Sequence, residues 1–351
     1  MKPKPSLNPK SNHQGAVLII SLWILAILTL LAFSIGRRIS IELRLLKYHL
    51  NRTQAFYLAK AGLEHIYAQK AGDSQDDYDS LNEAWSNKLK ADQKTPYFQE
   101  FTWGNGEFEV KYDYPQGQVL YGMQDESSKL NINKILNGDG SVNNDRKKEF
   151  TNLLKNVLGD DSKAQEMTAK FIDWVDKDSD PISINGKENY SDKGISPKNA
   201  PLDRLEELTM IDGFSIEDVK KLSNYITIYG GEYININTTS QEALRALGLD
   251  ESVINSIISY RNGEDNQAAT EDDKTIENID NELINDSKIF NSQLTLQESE
   301  DIKNIKSRLA VKSSFYKAKS SGTVNKIKKE ITTVIQTNPN QHPQCLYWYE
   351  E

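Results

Sequence analysis

Residues 16–35 read AVLIISLWILAILTLLAFSI, an apolar run with no charge, proline or glycine. At about 1.5 Å per residue, its length matches a hydrocarbon core about 30 Å thick. It predicts one membrane-spanning helix. A cleaved secretory signal is a poorer fit, because its apolar region is usually only about 7–15 residues long. A plain anchor, or a prepilin-type segment cut before the apolar run, are the other two readings. Flanking charge does not set the orientation: Lys2, Lys4 and Lys10 precede the run, and Arg37, Arg38, Arg44 and Lys47 follow it.

The helical pattern continues beyond the apolar run. Between residues 39 and 69 there is no proline and Gly62 is the only glycine. Ile41, Leu45, Tyr48, Ala55, Phe56, Ala59, Leu63 and Ile66 fall mostly three or four apart, one stripe of an amphipathic helix. A single helix over 16–70 is predicted, apolar all round in its first half and packed on a globular head along one face of its second.

That head is acidic. The chain of 351 residues has a net charge of -9, and residues 1–38 contain Lys2, Lys4, Lys10, Arg37 and Arg38 but no acid. Such a body repels a phosphate backbone and is compatible with protein partners or a hard cation. Cys345 is the one cysteine, so no internal disulfide forms.

Strand patterns flank a helical middle. Residues 98–124 include the alternation Glu107-Phe108-Glu109-Val110-Lys111-Tyr112, and 315–318, 326–335 and 346–349 form a second group. Residues 136–263 read as helices. The fold class expected is α+β: an antiparallel sheet packed on the N-terminal helix, with a large all-helical domain inserted into it. Within that domain, residues 205–219 and 242–253 look like two copies of a helix, glycine turn, helix unit. Ser215 caps the first, with Phe214 and Val219 as a hydrophobic staple. Thr239 with Glu242 forms a capping-box pattern in the second, and Leu249 with Ile254 repeats the staple around Asp250. Helix-hairpin-helix units often grip DNA, but here the second glycine after Gly213 is missing and the other turn carries Asp250. Residues 262–286 are polar and acidic, the composition of a mobile loop.

Asp176, Asp178 and Asp180 alternate along one stretch, with Asp173, Asn185, Glu188, Asn189, Asp192 and Asn199 nearby. Ca²⁺ takes six to eight oxygen ligands, which such a loop supplies. It is not an EF-hand: counting from Asp176, the positions for Gly and Glu hold Pro181 and Lys187. On chemistry alone, a calcium loop and a solvated acidic loop both remain open. Residues 137–141, NGDGS, are better read as a turn into a helix. No nucleophile-elbow, zinc-protease or P-loop pattern is present. A signal-anchored, calcium-dependent periplasmic enzyme and a membrane-tethered DNA-binding protein stay as alternatives.

A short basic leader, Gly15 and an unbroken apolar helix together resemble the prepilin leader of type IV pilins and type II secretion pseudopilins. The resemblance implies cleavage after Gly15 by a prepilin peptidase and N-methylation of Ala16. Most such proteins carry Glu at the fifth mature position, which here is Ile20. The K-type minor pseudopilins of type II secretion lack that Glu. Further stretches are similar to theirs: residues 54–59 (QAFYLA), 125–133 (DESSKLNIN), 173–181 (DWVDKDSDP), 186–190 (GKENY), 199–202 (NAPL) and 234–238 (ININT). Membership implies a pilin-like fold with an inserted helical domain, structural Ca²⁺, I-type and J-type pseudopilin partners, and an inner-membrane anchor with the body in the periplasm. Candidate metal ligands are Asp176, Asp178, Asp180, Glu188 and Asn189. The expected division is a leader over 1–15, the helix over 16–70, sheet segments over 71–130 and 306–351, and a helical domain over 131–305 containing the acidic loop.

Overall fold

The computed structural model describes residues 13–72, 77–90, 95–285, 289–290, 294–338 and 342–351. Most of the leader, and Asp286 at the end of the acidic loop, lie outside these. The order of elements begins with α1 (His13–Gly72), β1 (Phe101–Trp103), β2 (Gly106–Val110), β3 (Tyr112–Tyr114), β4 (Gln118–Leu120), β5 (Gln124–Asp125) and β6 (Leu130–Asn131). The helical region follows: α2 (Asn144–Leu158), α3 (Asp161–Val175), α4 (Ile216–Leu222), β7 (Ile226–Thr227), β8 (Ile234–Asn235), α5 (Gln241–Ala246), α6 (Glu251–Arg261) and α7 (Leu296–Ile305). The chain then closes with β9 (Leu309–Ala310), β10 (Phe315–Val324), β11 (Ile327–Gln336) and β12 (Gln344–Glu350).

Two units divide the chain after Gln54. In the first, the apolar residues from Val17 to Leu50 stand exposed. One window of this helix is long and apolar enough to cross a membrane.

The second unit starts at Ala55. Its sheet runs β1-β2-β10-β11-β12, with β5 pairing β10 beyond the end of β2. All of these pairings are antiparallel. Ala55, Ala59, Leu63 and Ile66 of α1 are fully buried. Their spacing puts them on one helical face, and the last three join Phe108, Val110, Tyr316, Ala318, Ile331 and Ile335 in one apolar cluster. Small residues set how closely helix and sheet approach. A Cβ on Gly322 of β10 would lie 2.0 Å from the Ala55 carbonyl oxygen and 2.5 Å from the Ala59 nitrogen. A Cβ on Gly62 of α1 would meet the Ser320 hydroxyl and Phe108. Glycine is costly inside a helix or strand; here both glycines are required by contact.

A second and larger cluster, drawn from residues Leu130 to Leu309, forms the helical domain. Its two repeat units are present. Gly213 and Gly248 both take positive φ, and the staples Phe214 with Val219 and Leu249 with Ile254 are all buried. Ser215 and Asp218 make a reciprocal capping box at α4. The second cap differs from the expectation. Ser240, not Thr239, caps α5 by accepting from the Ala243 N–H. The Thr239 hydroxyl instead donates to the Ser128 carbonyl, 2.8 Å away, so it ties the repeat to the sheet side. The first element of the first unit, Leu205–Met210, is 3-10 rather than α-helical.

The acidic loop is packed rather than loose along its described length. Ala268, Ala269, Ile276 and Leu283 are buried. The Asn237 side chain donates to the Ile276 carbonyl and accepts from its N–H, at 2.9 and 2.8 Å. Composition hid these few apolar anchors among many acids.

If the Gly322 approach fixes α1 on the sheet, Gly322→Ala must push backbone against backbone. The expected cost is about 3 kcal/mol or more. Gly62→Ala meets chiefly the rotatable Ser320 hydroxyl and a ring, and regains helix propensity of about 1 kcal/mol. Thermal unfolding of the two variants checks this: the loss in Tm is larger for Gly322→Ala.

Candidate metal centre

Helix α3 ends at Val175, and the chain turns at its C-cap, Asp176. Asp173 and Asp176 are three residues apart, which puts both carboxylates on one face of the last helical turn. The segment after it folds back so that Glu188 joins them. One carboxylate oxygen from each of Asp173, Asp176 and Glu188 lies within 4.8 Å of the others. Asp173 and Asp176 are buried and Glu188 is half-buried.

The walls hold this geometry. Asp173 Oδ1 accepts from the Ile182 N–H at 2.9 Å. A Cβ on Gly186 would run into the Asp173 carboxylate, so only glycine fits where the returning loop crosses it. Trp174 and Tyr190 meet edge to face with centroids 5.1 Å apart. Lys187 lies over the Tyr190 ring. Lys187 and Lys193 both pair with Asp212, which fastens the loop to the turn of the first hairpin unit. Those two cations hold the Asp212 carboxyl down at about 2.

The three acids are in the opposite situation. Burial, then the neighbouring Asp176 and Asp173 charges, raises Glu188 from 4.5 to about 7. Burial and the charges of Asp178 and Asp173 raise Asp176 to about 6. Burial also raises Asp173. Asp173 Oδ2, Asp176 Oδ1 and Glu188 Oε1 are buried oxygens with no hydrogen-bond partner among the described residues. A buried, unpartnered carboxylate oxygen is expensive. Three of them converging fit a hard divalent cation, for which carboxylate oxygens are the preferred ligands.

Of the five residues picked from sequence, this cluster contains Asp176 and Glu188. Asp178 and Asp180 are exposed. Asp178 Oδ1 accepts from the Asp180 N–H, although both charges still act on Glu188. Asn189 Oδ1 accepts from the Ser191 N–H at 2.9 Å. Asp173 was noted in sequence only as a neighbour; its three-residue spacing from Asp176 on a helix was the available signal. At the other end of the chain, Gly15 and Ala16 lie in α1 and are exposed, as is Ile20. In the turn of residues 137–141, Asp139 accepts from the N–H and hydroxyl of Ser141.

The C-terminal part of α1, from Ala55, packs on an antiparallel sheet with a helical domain inserted between β5 and β10, which is a pilin-like fold. Residues 128–231 match the family model described as "Type II secretion system (T2SS), protein K". Type II secretion system protein K of Aeromonas hydrophila is 24% identical over 263 residues, covering 69% of this chain and 73% of that protein. Its Pseudomonas aeruginosa counterpart is 23% identical over 268 residues, covering 73% and 74%. A chain of the GspK-GspI-GspJ complex of the enterotoxigenic Escherichia coli type 2 secretion system has a similar fold. Its TM-score is 0.64 at 16% identity, over 87% of this chain and 99% of that one. The chain is thus similar to the protein K family of type II secretion, the K-type minor pseudopilins, in its middle by the family model and over about 70% of its length by these relatives.

A carboxyl raised in the folded state stabilises fully below its unfolded pKa, and that stability is lost as pH rises through the folded value. Metal-free protein should therefore lose stability from this cluster as pH rises from about 4.5 to about 7. A bound cation replaces the protons and reverses the trend. At calcium a hundredfold above Kd, the gain is about 2.7 kcal/mol. Thermal unfolding with calcium or chelator at pH 5 and pH 7.5 reads both effects, and Asp173→Asn should abolish the calcium response.

Proposed function

We propose that this chain acts at the tip of the type II secretion pseudopilus, nucleating or capping the filament that moves folded proteins across the outer membrane. One observation carries the reading: Ile20 stands where most subunits of such filaments have Glu. A carboxylate in hydrocarbon is tolerated only when paired. Inside a filament, the free amine of a neighbouring subunit supplies that pairing. A subunit with no neighbour stacked above it has no amine to meet, and an apolar side chain suits that place. Ile20 is 58% exposed on α1, so it is available to lipid.

The anchor would cross the inner membrane once, leaving the acidic body in the periplasm. The partners are I-type and J-type minor pseudopilins, by analogy with the Escherichia coli relative, which is found in complex with GspI and GspJ. The role is structural, not enzymatic: covalent chemistry on the chain is performed by other proteins at Gly15 and Ala16. Calcium held by Asp173, Asp176 and Glu188 supplies charge neutralisation, which lets the loop of residues 176–195 stay folded against α3. Nucleic acid is a poor ligand for the hairpin units. Lys187 and Lys193 beside the Gly213 turn are taken by Asp212, and Lys163 by Asp218.

The mass of the mature protein tests the reading. Loss of residues 1–15 together with one added methyl group is expected. An intact N-terminus, or cleavage after Ile35, contradicts it. Gly15→Val should retain the leader and stop secretion while leaving the folded body soluble when the anchor is removed.

A further inference from the structure

Strand β12 is the outermost strand of the sheet, and among the described residues nothing pairs with its far side. The other edge strand, β1, has three residues; β12 has seven. Natural proteins usually blunt a long edge with charge, proline or a covering loop. From Gln344 to Tyr349 this one carries no charge and no proline, and it displays Leu346, Trp348 and Tyr349.

The phase of its hydrogen bonds is fixed by its far end. Glu330 and Glu351 exchange both backbone bonds, at 3.3 and 2.9 Å. Antiparallel pairs alternate between bonded and non-bonded. Thr332 with Tyr349 and Val334 with Tyr347 are therefore the next bonded pairs in the register. The N–H and C=O groups of Trp348 and Glu350 consequently point away from β11, toward the open side. The register shift lies nearer the start of the strand, between Val334 and Ile335, so this outer stretch is regular.

The Tyr347 and Tyr349 side chains line a cleft of about 520 Å³ between the sheet and the helical domain. Its opposite wall carries Arg204, whose guanidinium lies 6.0 Å from the centre of the Tyr347 ring. Two of the cations in the cleft are satisfied: Lys129 by Glu126 and Lys319 by Glu330. Arg204 and Lys317 make no ion pair among the described residues. Glu206 and Glu351 also line the cleft, and the Lys317 charge acts on Glu126, so the cleft favours a single carboxylate among neutral side chains over an acidic run.

We infer that β12 and this cleft form a peptide-binding site. An extended segment of another protein adds to the sheet at Trp348 and Glu350, and one of its acidic side chains reaches Arg204 and Lys317. Main-chain bonds supply the affinity, and alternate side chains entering the cleft supply the choice. The proposal is independent of the metal and of the assembly reading.

The full-length chain in detergent, with the synthetic peptide acetyl-Thr-Val-Thr-Glu-Thr-Val-Thr-amide, tests it by residue-resolved hydrogen exchange. Saturating peptide should slow exchange at Trp348 and Glu350 about tenfold. The counterpart with Lys in place of Glu should need roughly fivefold more peptide, and the double variant Arg204→Ala, Lys317→Ala should erase that preference. Glu350→Pro removes an outward N–H at a position where an edge strand tolerates proline; peptide protection should vanish while β10 and β11 remain protected. If that variant unfolds, Trp348→Lys makes the same test through charge. No slowing at either residue, slowing retained in the edge variants, or equal binding of the Glu and Lys peptides overturns the proposal. Slowing that grows with protein concentration without peptide also overturns it, by assigning the edge to a second copy of the chain.

Discussion

The Asp125 carboxylate is the point on which the two halves of the body depend. It is fully buried and sits at the end of β5, where the chain leaves the sheet. Its Oδ2 accepts from Ser313 and Thr238 hydroxyls at 2.6 and 2.5 Å and from the Asn235 amide at 3.3 Å. Asn235 also donates to the Asp79 carbonyl, and Asp79 pairs with Lys70 on α1. One buried network thus links the helix, the strand before the insertion, the strand within it and the segment by which the chain returns. Burial lifts Asp125 to about 6, and the converging hydroxyls limit that rise. An arrangement of this kind is costly when any member is lost, which is why a domain inserted into a sheet can be held at a defined place.

The network is flanked by a second buried joint. Glu126 pairs with Lys129 and accepts from the Thr227 hydroxyl, while β6 pairs with β7 and β8 with β9 in parallel. Both short parallel pairs join chain that leaves or returns to the sheet with chain from the middle of the helical domain. The carboxylate cluster of Asp173, Asp176 and Glu188 is then a local device within that domain. Its loop is fastened through Asp212 to the turn of the first hairpin unit, so a cation bound there would act on the packing of α3 and α4.

Much of this was legible in sequence because it rests on periodicity. The α1 stripe at Ala55, Ala59, Leu63 and Ile66, the alternation in β2 and the staples around Ser215 and Asp250 all follow from local rules. The short strings at 125–133 and 234–238 were visible only as likeness to a family; the structure gives their physical role, as the two sides of the Asp125 joint. Local rules failed where a side chain is claimed by a distant partner. Thr239 looked like a cap and is spent on Ser128. The acidic loop looked unanchored, yet Asn237 holds Ile276. In the metal cluster, the alternation of Asp176, Asp178 and Asp180 was the salient pattern, but the turn after α3 sends the last two outward. Asp173, hidden inside the helix, is the acid that faces Glu188.

The central claim is that three buried, unpartnered oxygens form a cation site in the helical domain of this chain. A crystal of the metal-saturated protein, with a lanthanide in place of calcium, tests it most directly through the anomalous difference map. The account predicts one strong peak in contact with Asp173, Asp176 and Glu188. A map with no peak there, or with the ion held by Asp178 and Asp180 while the three buried carboxyls remain apart from it, contradicts the claim.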